Sequence, residues 1–178
     1  MSREPLFQIL AEGTTGRTVL LCHPDPIDPD PEATWDRGVT LLWVAPPQPG
    51  RWSDTADDIA AAWPPTGATP IGAVGWSTGG LLAGTLAARH PALVDRLVLV
   101  ATEAPPTEPT CPFDPAAITT KTLLLYGAKD PLAGPRDGKW YQQRLTNRRY
   151  EQNPAPGALL LPPMWPRALS HLAPNRRR

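Results

Sequence analysis

The chain has 178 residues, a length that favours one domain, residues 1–178, with a substantial buried core. Lysine plus arginine and aspartate plus glutamate number 17 each, so the formal net charge is zero. A nucleic-acid or anionic-membrane surface needs a basic excess, so neither partner is expected. The longest apolar runs, RLVLVA and TLLLY, are too short to cross a bilayer, and the N-terminus lacks a signal-peptide core. These features favour a cytoplasmic location.

Predicted strands and helices alternate along the chain, separated by clusters of its 25 prolines. Strands are predicted at FQILAEG, RTVLLCHP and VTLLWVAPP, with a short helix, PEATWDRG, before the third. A helix, SDTADDIAAAW, follows with Ser53 as its predicted N-cap. The remaining predicted segments are, in order, the strand PIGAVGWS, the helix TGGLLAGTLAARHP, the strands DRLVLVATEA and TKTLLLYGAKD, the helix PRDGKWYQQRLTN, the strand RRYEQN and the helix PPMWPRALSHLA.

This alternation predicts an α/β fold, a mostly parallel sheet flanked by helices on both faces. Ligands on such sheets bind beyond the carboxyl ends of the strands. Directly after the strand PIGAVG, residues Gly75, Ser77 and Gly79 form a G-x-S-x-G motif that leads into a helix. Small residues beside the serine let strand and helix approach closely, and the sharp turn raises the serine hydroxyl above the sheet. The motif predicts a nucleophile elbow at Ser77.

With the stretches LLCHP, GWSTGG and LLLYGAKDPLAGP, the chain resembles the α/β-hydrolase fold superfamily, in particular its small, lidless actinobacterial type. The resemblance implies a Ser…Asp…His triad with Ser77 as nucleophile and Asp130 as acid. Asp130 also directly follows a buried strand, at the edge where sites form, although a turn aspartate before proline is the structural alternative. Glu103, after the preceding strand, is a second candidate acid. Only about 20 residues separate the strand before Glu103 from the strand before Asp130, so no cap domain is expected.

The resemblance also implies an oxyanion hole formed by the backbone N–H groups of Thr78 and Asp25. The family usually carries His-Gly at the end of the first parallel strand, whereas this chain has His23-Pro24. Proline fixes φ and lacks an N–H, so the expected hole departs from the family pattern. His23 is first interpreted as a packed, hydrogen-bonded histidine. Trp76, beside the serine, is a candidate pocket residue together with His23 and Pro24, and the pocket should be open and shallow.

The family's catalytic histidine matches Ala158, 28 residues after Asp130, where Gly-His followed by apolar residues is usual. Of the three histidines, His171 keeps the Ser…Asp…His order and is the alternative base, although a surface or capping role is the simpler interpretation. His90 lies at a helix end, at the base of the sheet. Without an imidazole, the Ser77 hydroxyl is a poor nucleophile near neutral pH. Two histories explain the alanine: an engineered His→Ala change made to trap a bound substrate, or natural divergence. Pro24, another departure from the family pattern, favours divergence.

The sequence therefore predicts a serine-hydrolase-type scaffold for a small ester, thioester or lactone, with hydrolysis impaired at the base position. Two alternatives stay open: a pseudoenzyme that binds a small acyl ligand or a protein partner, and a non-hydrolytic lyase or cyclase. The partner expected in the main interpretation is a small molecule with a carbonyl group. No cofactor and no metal are expected, since the chain has no metal-ligand cluster, phosphate loop or dinucleotide fingerprint.

Overall fold

The computed structural model describes residues 6–63, 70–105, 111–154 and 161–174. In chain order the elements are β1 (Gln8–Ala11), β2 (Thr18–Cys22), α1 (Pro31–Arg37), β3 (Thr40–Val44), α2 (Trp52–Ala62), β4 (Ile71–Trp76), α3 (Gly79–Arg89), β5 (Val94–Val100), β6 (Lys121–Gly127), α4 (Pro135–Arg144), β7 (Arg148–Asn153) and α5 (Leu161–Leu172). Every strand and helix predicted from the sequence is therefore present.

The seven strands form one sheet in the order β1-β3-β2-β4-β5-β6-β7. β1 is antiparallel to β3, and every other neighbouring pair is parallel. The parallel strands consequently share one carboxyl edge, and the residues that follow β2, β4, β5 and β6 meet there. The predicted α/β architecture is confirmed.

Helices cover both faces of the sheet. On one face α2, α3 and α4 bury apolar side chains such as Ile59, Leu86 and Tyr141 against the strands. On the other face α5 buries Trp165 and Leu169, and α1 packs beside it. Because both faces of the sheet are covered, β2 is buried along its length, and four of its five residues are apolar, unlike those of an alternating half-exposed strand.

Helix ends agree with the sequence in one case and differ in another. α1 has Asp30 as N-cap, whose carboxylate accepts from the Ala33 N–H, and it ends at Gly38 in the left-handed conformation. The predicted Ser53 cap of α2 was wrong, because the helix already begins at Trp52 and its N-cap is Arg51. Trp52 packs against the core, so tertiary burial extends the helix beyond the point favoured by the capping residue.

The connection from β5 to β6 spans residues 101–120, and its described part holds a 3-10 helix at Pro115–Ala117 and no α-helix. This agrees with the expected absence of a cap over the carboxyl edge. None of the helices within the described ranges has the length and apolar character needed to cross a membrane.

Candidate active site

Ser77 occupies a tight turn between β4 and α3. Its φ is +54°, a region that residues other than glycine rarely enter. The turn is fixed because the Ser77 N–H donates to the carbonyl of Val100 at 2.9 Å, and the Gly80 N–H donates to the carbonyl of Ser77 at 3.0 Å. A backbone in this region costs about 1–3 kcal/mol, and such residues concentrate at functional sites.

The glycines around Ser77 are needed for close approach. A Cβ on Gly75 would overlap the backbone of Gly79 and Gly80, and a Cβ on Gly79 would overlap the carbonyl of Cys22. A Cβ on Gly80 would overlap the Thr102 side chain. The start of α3 is therefore wedged between the carboxyl ends of β2 and β5. This is the geometry that the G-x-S-x-G motif predicts, and it places the half-buried Ser77 at the centre of the carboxyl edge.

Thr78 stands at the N-terminus of α3, with helical angles of −61° and −26°, and is exposed. Its N–H has no hydrogen-bond acceptor among the residues that the structure describes. A free N–H at a helix N-terminus carries partial positive charge and favours an anionic oxygen. Thr78 is therefore suited to the predicted donor role.

The second predicted donor, Asp25, has a different environment. Its N–H lies 3.0 Å from His23 Nδ1, and the same nitrogen lies 2.9 Å from the Asp25 carbonyl oxygen. With Nδ1 unprotonated, the imidazole accepts the Asp25 N–H and competes with a substrate oxygen for it. With Nδ1 protonated, the ring donates to the carbonyl and releases the N–H. The intervening Pro24 is exposed and supplies no N–H.

His23 is packed as the sequence suggested. Its ring stacks on Trp76 with centroids 4.6 Å apart and planes 11° apart. The indole N–H of Trp43 donates to the His23 carbonyl at 2.7 Å. Trp76 and His23 therefore form an aromatic surface beside Ser77, at the carboxyl ends of β4 and β2.

Asp130 follows β6 at the same edge and is half-buried. Its Oδ1 accepts from the N–H groups of Leu132, at 2.9 Å, and Ala133, at 3.1 Å, so the carboxylate stabilises its own turn. The second oxygen has no partner within the described part of the chain. Because β5 lies between β4 and β6, the strands that precede Ser77 and Asp130 are about 10 Å apart. Asp130 is thus anchored through one oxygen and has the other available.

The loop after β5 carries Glu103, which is exposed. Its carbonyl accepts from the Tyr141 hydroxyl at 2.9 Å, and the preceding carbonyl, that of Thr102, accepts from the Tyr126 hydroxyl at 2.7 Å. Asp137 accepts from the Ala104 N–H at 2.9 Å and also from the N–H of the α4 N-cap residue. Sequence reasoning missed these three anchors. The available signal was an acid three residues after the N-cap residue, since this is the capping-box position.

The structure does not bring His171 or His90 to Ser77. His171 Nε2 lies 3.0 Å from the carbonyl of Lys121, the first residue of β6, and therefore at the amino edge of the sheet. Burial lowers the pKa of His171. His90 Nε2 contacts the Asp57 carboxylate at 2.8 Å, at the end of α3. The alanine at the predicted base position, Ala158, lies outside the described residues.

No metal site accompanies these residues: within the described ranges, no group of three or more His, Cys, Asp or Glu side chains could hold a metal ion. The two free cysteines do not enter the site. Cys22 is fully buried, which raises the pKa of its thiol well above the usual range. The groups available at this edge are therefore the hydroxyl of Ser77, whose backbone is strained, the N–H of Thr78, the second carboxylate oxygen of Asp130 and the aromatic surface of His23 and Trp76.

Comparison with known proteins shows what the chain resembles. A family model described as alpha/beta hydrolase fold matches residues 44–116, which include the Ser77 turn. A search of curated proteins found no match. Among solved structures, an α/β-hydrolase enzyme from the metagenome of lagoon sediments at Mar Chica, Morocco, is 14% identical, with a TM-score of 0.74 over 94% of each chain.

Two further solved structures have names that describe a reaction. The enol-lactonase from Burkholderia xenovorans is 16% identical, with a TM-score of 0.70 over 92% of this chain and 95% of that one. A thermophilic esterase from Thermogutta terrifontis is 17% identical, with a TM-score of 0.68 over 92% and 90%. The chain therefore has the α/β-hydrolase fold, and its resemblance to this superfamily is confirmed.

Proposed function

We propose that this chain is a serine-hydrolase-type scaffold that binds a small ester, thioester or lactone at Ser77, with impaired hydrolysis. Ser77 is the nucleophile position, Asp130 the orienting acid and Thr78 the principal oxyanion donor. The substrate carbonyl would lie over the turn, with its oxygen toward the N-terminus of α3. A ligand of this class agrees with the lactonase and esterase named among the structural neighbours.

The observation that carries this proposal is the positive φ of Ser77. A serine in that conformation is strained, whereas a glycine there would relieve the strain. The surrounding glycines and the bond to Val100 hold the strained residue in place. A side chain kept in this position at a cost in stability is expected to serve the site, here by exposing its hydroxyl to a carbonyl carbon.

Impairment follows from two features. The predicted base position holds Ala158, and neither His90 nor His171 lies at the carboxyl edge. Loss of one triad member reduces the rate by about 10⁴–10⁶, with residual catalysis from substrate binding and the oxyanion hole. Competition between His23 and a substrate oxygen for the Asp25 N–H would cost up to about 10²–10³ more, the usual effect of losing one donor.

A second candidate function, a pseudoenzyme that binds a small acyl ligand, is favoured by the His23–Asp25 contact. A protein that only binds a carbonyl compound needs neither a base nor a complete oxyanion hole. A lyase or cyclase that forms no acyl-enzyme would also retain the pocket. Both candidates use Ser77 as a hydrogen-bonding group, and neither requires that it be activated.

Fluorophosphonate labelling tests the proposed state of Ser77, because the probe reacts with activated serines. We expect labelling at least about 10³-fold slower than that of an intact serine esterase, in line with loss of a triad member. The slow product should map to Ser77 and disappear in Ser77→Ala, with Ser53→Ala as the matched control that retains it. Rapid stoichiometric labelling at Ser77 would show that another base acts there and would refute the impairment.

A further inference from the structure

A cavity lies between β1 and α1, away from the Ser77 turn. Its volume is about 260 Å³, and apolar side chains such as Leu10, Pro31 and Val39 form much of its wall. Trp35 lines it as well and is 75% exposed, although an indole of that size usually buries more of its surface. None of the residues that line the cavity belongs to the β4–α3 turn, so the proposed hydrolase function leaves it unexplained.

Asp28 is one of the residues that line this cavity, and it is half-buried. Its Oδ1 accepts from the Thr34 hydroxyl at 2.8 Å and from the Asp30 N–H at 3.1 Å. Thr34 in turn accepts from the indole N–H of the buried Trp165 at 2.8 Å, which connects the carboxylate to the core. The Asp28 side chain is therefore held in one orientation from within the protein.

The charge of Asp28 has no partner in the described part of the chain. Among the described residues no Lys, Arg or His side chain pairs with it, and the charged group that acts on it is another acid, Asp30. Burial raises the pKa of Asp28, as expected for a carboxylate without a compensating cation. A neutral amide oxygen would accept the same two hydrogen bonds. The loop geometry alone therefore does not account for a carboxylate at this position.

The cavity is acidic and apolar at once. Glu12 is the second charged residue in its lining, which contains no basic side chain. An indole face attracts cations, and apolar walls favour a hydrocarbon body. We propose that the cavity binds a small organic cation, with its ammonium group at Asp28 and its apolar substituent against Trp35 and Leu10. A cation there would offset the unpaired charge of Asp28.

Titration of the 178-residue chain with benzylammonium tests the proposal, with the Trp35 indole N–H signal in NMR spectra as the readout. Benzyl alcohol and benzoate are the matched neutral and anionic probes. We expect benzylammonium to bind at least about tenfold more tightly than benzyl alcohol, because only its ammonium group forms a charge-assisted hydrogen bond with the Asp28 carboxylate. Benzoate should not bind. Equal binding of the alcohol would overturn the proposal.

Two variants locate the charge. Asp28→Asn should retain the hydrogen bonds from Thr34 and Asp30 and should fold, but it should weaken the binding of benzylammonium about tenfold or more. Asp36→Asn, an exposed acid of α1 that does not line this cavity, should change the affinity less than twofold. Unchanged affinity in Asp28→Asn, with the fold confirmed by the NMR spectrum, would refute the site. The same titration in Ser77→Ala should match the parent, because the proposal does not depend on the serine.

A pH series gives a second readout. Binding of a cation favours the ionised form of Asp28, whose pKa burial raises in the free protein. The affinity for benzylammonium should therefore be greatest above that raised pKa and should fall as the pH is lowered through it. In Asp28→Asn this fall should be reduced. A pH-independent affinity in the parent protein over the acidic range would contradict the assignment of Asp28.

Discussion

The two edges of the sheet differ in how their polar groups are used. At the amino edge, Arg17 donates to the Leu172 carbonyl at the end of α5 and to the Pro70 carbonyl, and it forms an ion pair with Asp95 at 2.6 Å. Arg17 therefore joins the end of α5 to the residue before β4 and to Asp95 of β5. At the carboxyl edge, Ser77 is strained, and the Thr78 N–H has no acceptor among the described residues.

This difference separates groups that stabilise the fold from groups that the fold supports at a cost. A stability argument accounts for Arg17 at the amino edge, because its hydrogen bonds and ion pair end on named partners. The same argument does not explain the carboxyl edge, where strain and open hydrogen-bonding atoms lower stability. Where the fold keeps such groups, a ligand is the expected partner. The following variants test this contrast.

The largest effect should come from Gly79→Ala, which breaks the carboxyl edge. The added Cβ would overlap the Cys22 carbonyl, a backbone atom that cannot rotate away. We expect a loss of about 3 kcal/mol or more in the free energy of unfolding, or an insoluble protein. Gly16→Ala is the control, since a Cβ at Gly16 would meet open space and the cost is confined to its φ of +74°. It should lose only about 1 kcal/mol in denaturant unfolding.

Arg17→Ala should produce the next largest effect, at the amino edge. Its side chain is 20% exposed, and its loss leaves the Leu172 and Pro70 carbonyls without their donor. We expect about 2 kcal/mol of destabilisation by denaturant unfolding. Arg149→Ala removes an ion pair whose guanidinium side chain is 74% exposed, and it should cost less than about 0.5 kcal/mol. Equal effects of the two variants would contradict the structural role of Arg17.

Ser77→Gly should have the smallest effect on stability and the opposite sign. Glycine enters the positive-φ region without strain, so the variant should gain up to about 1 kcal/mol in the free energy of unfolding. Ser53→Gly, inside the first turn of α2, should lose about 0.5–1 kcal/mol. A loss in Ser77→Gly as large as in the control would show that the serine side chain stabilises the turn. The strain argument would then fail.

The sequence predicted features that depend on local chemistry. The Ser77 turn follows from glycines within three positions of the serine, and α1 from its capping aspartate and closing Gly38. The predicted start of α2 was wrong because the burial of Trp52 is a tertiary effect, which local sequence does not show. Residues that meet only in the folded chain left no signal of comparable strength. The cavity beside Trp35, for example, needs β1 to lie against α1.

For the candidate site, the sequence predicted which residues lie at the carboxyl edge but not the contacts between their side chains. Ser77 was proposed from the G-x-S-x-G motif and Asp130 from the family resemblance and its position after a buried strand, and the structure places both at the carboxyl edge. The sequence identified His23 and Asp25 but not the contact between the His23 ring and the Asp25 N–H, which depends on one side-chain rotamer. The role of Ala158 stays a prediction from the family resemblance.

The most direct test of the central claim is the rate of 4-nitrophenyl acetate hydrolysis by Ala158→His compared with the parent chain. The account holds that a base is missing beside a competent serine, with one oxyanion donor compromised. It predicts a gain of about 10²- to 10³-fold, smaller than a full triad would give because of the Asp25 N–H. Ser77→Ala or Asp130→Ala in the same background should remove most of that gain. An unchanged rate in a folded Ala158→His variant would contradict the missing-base account.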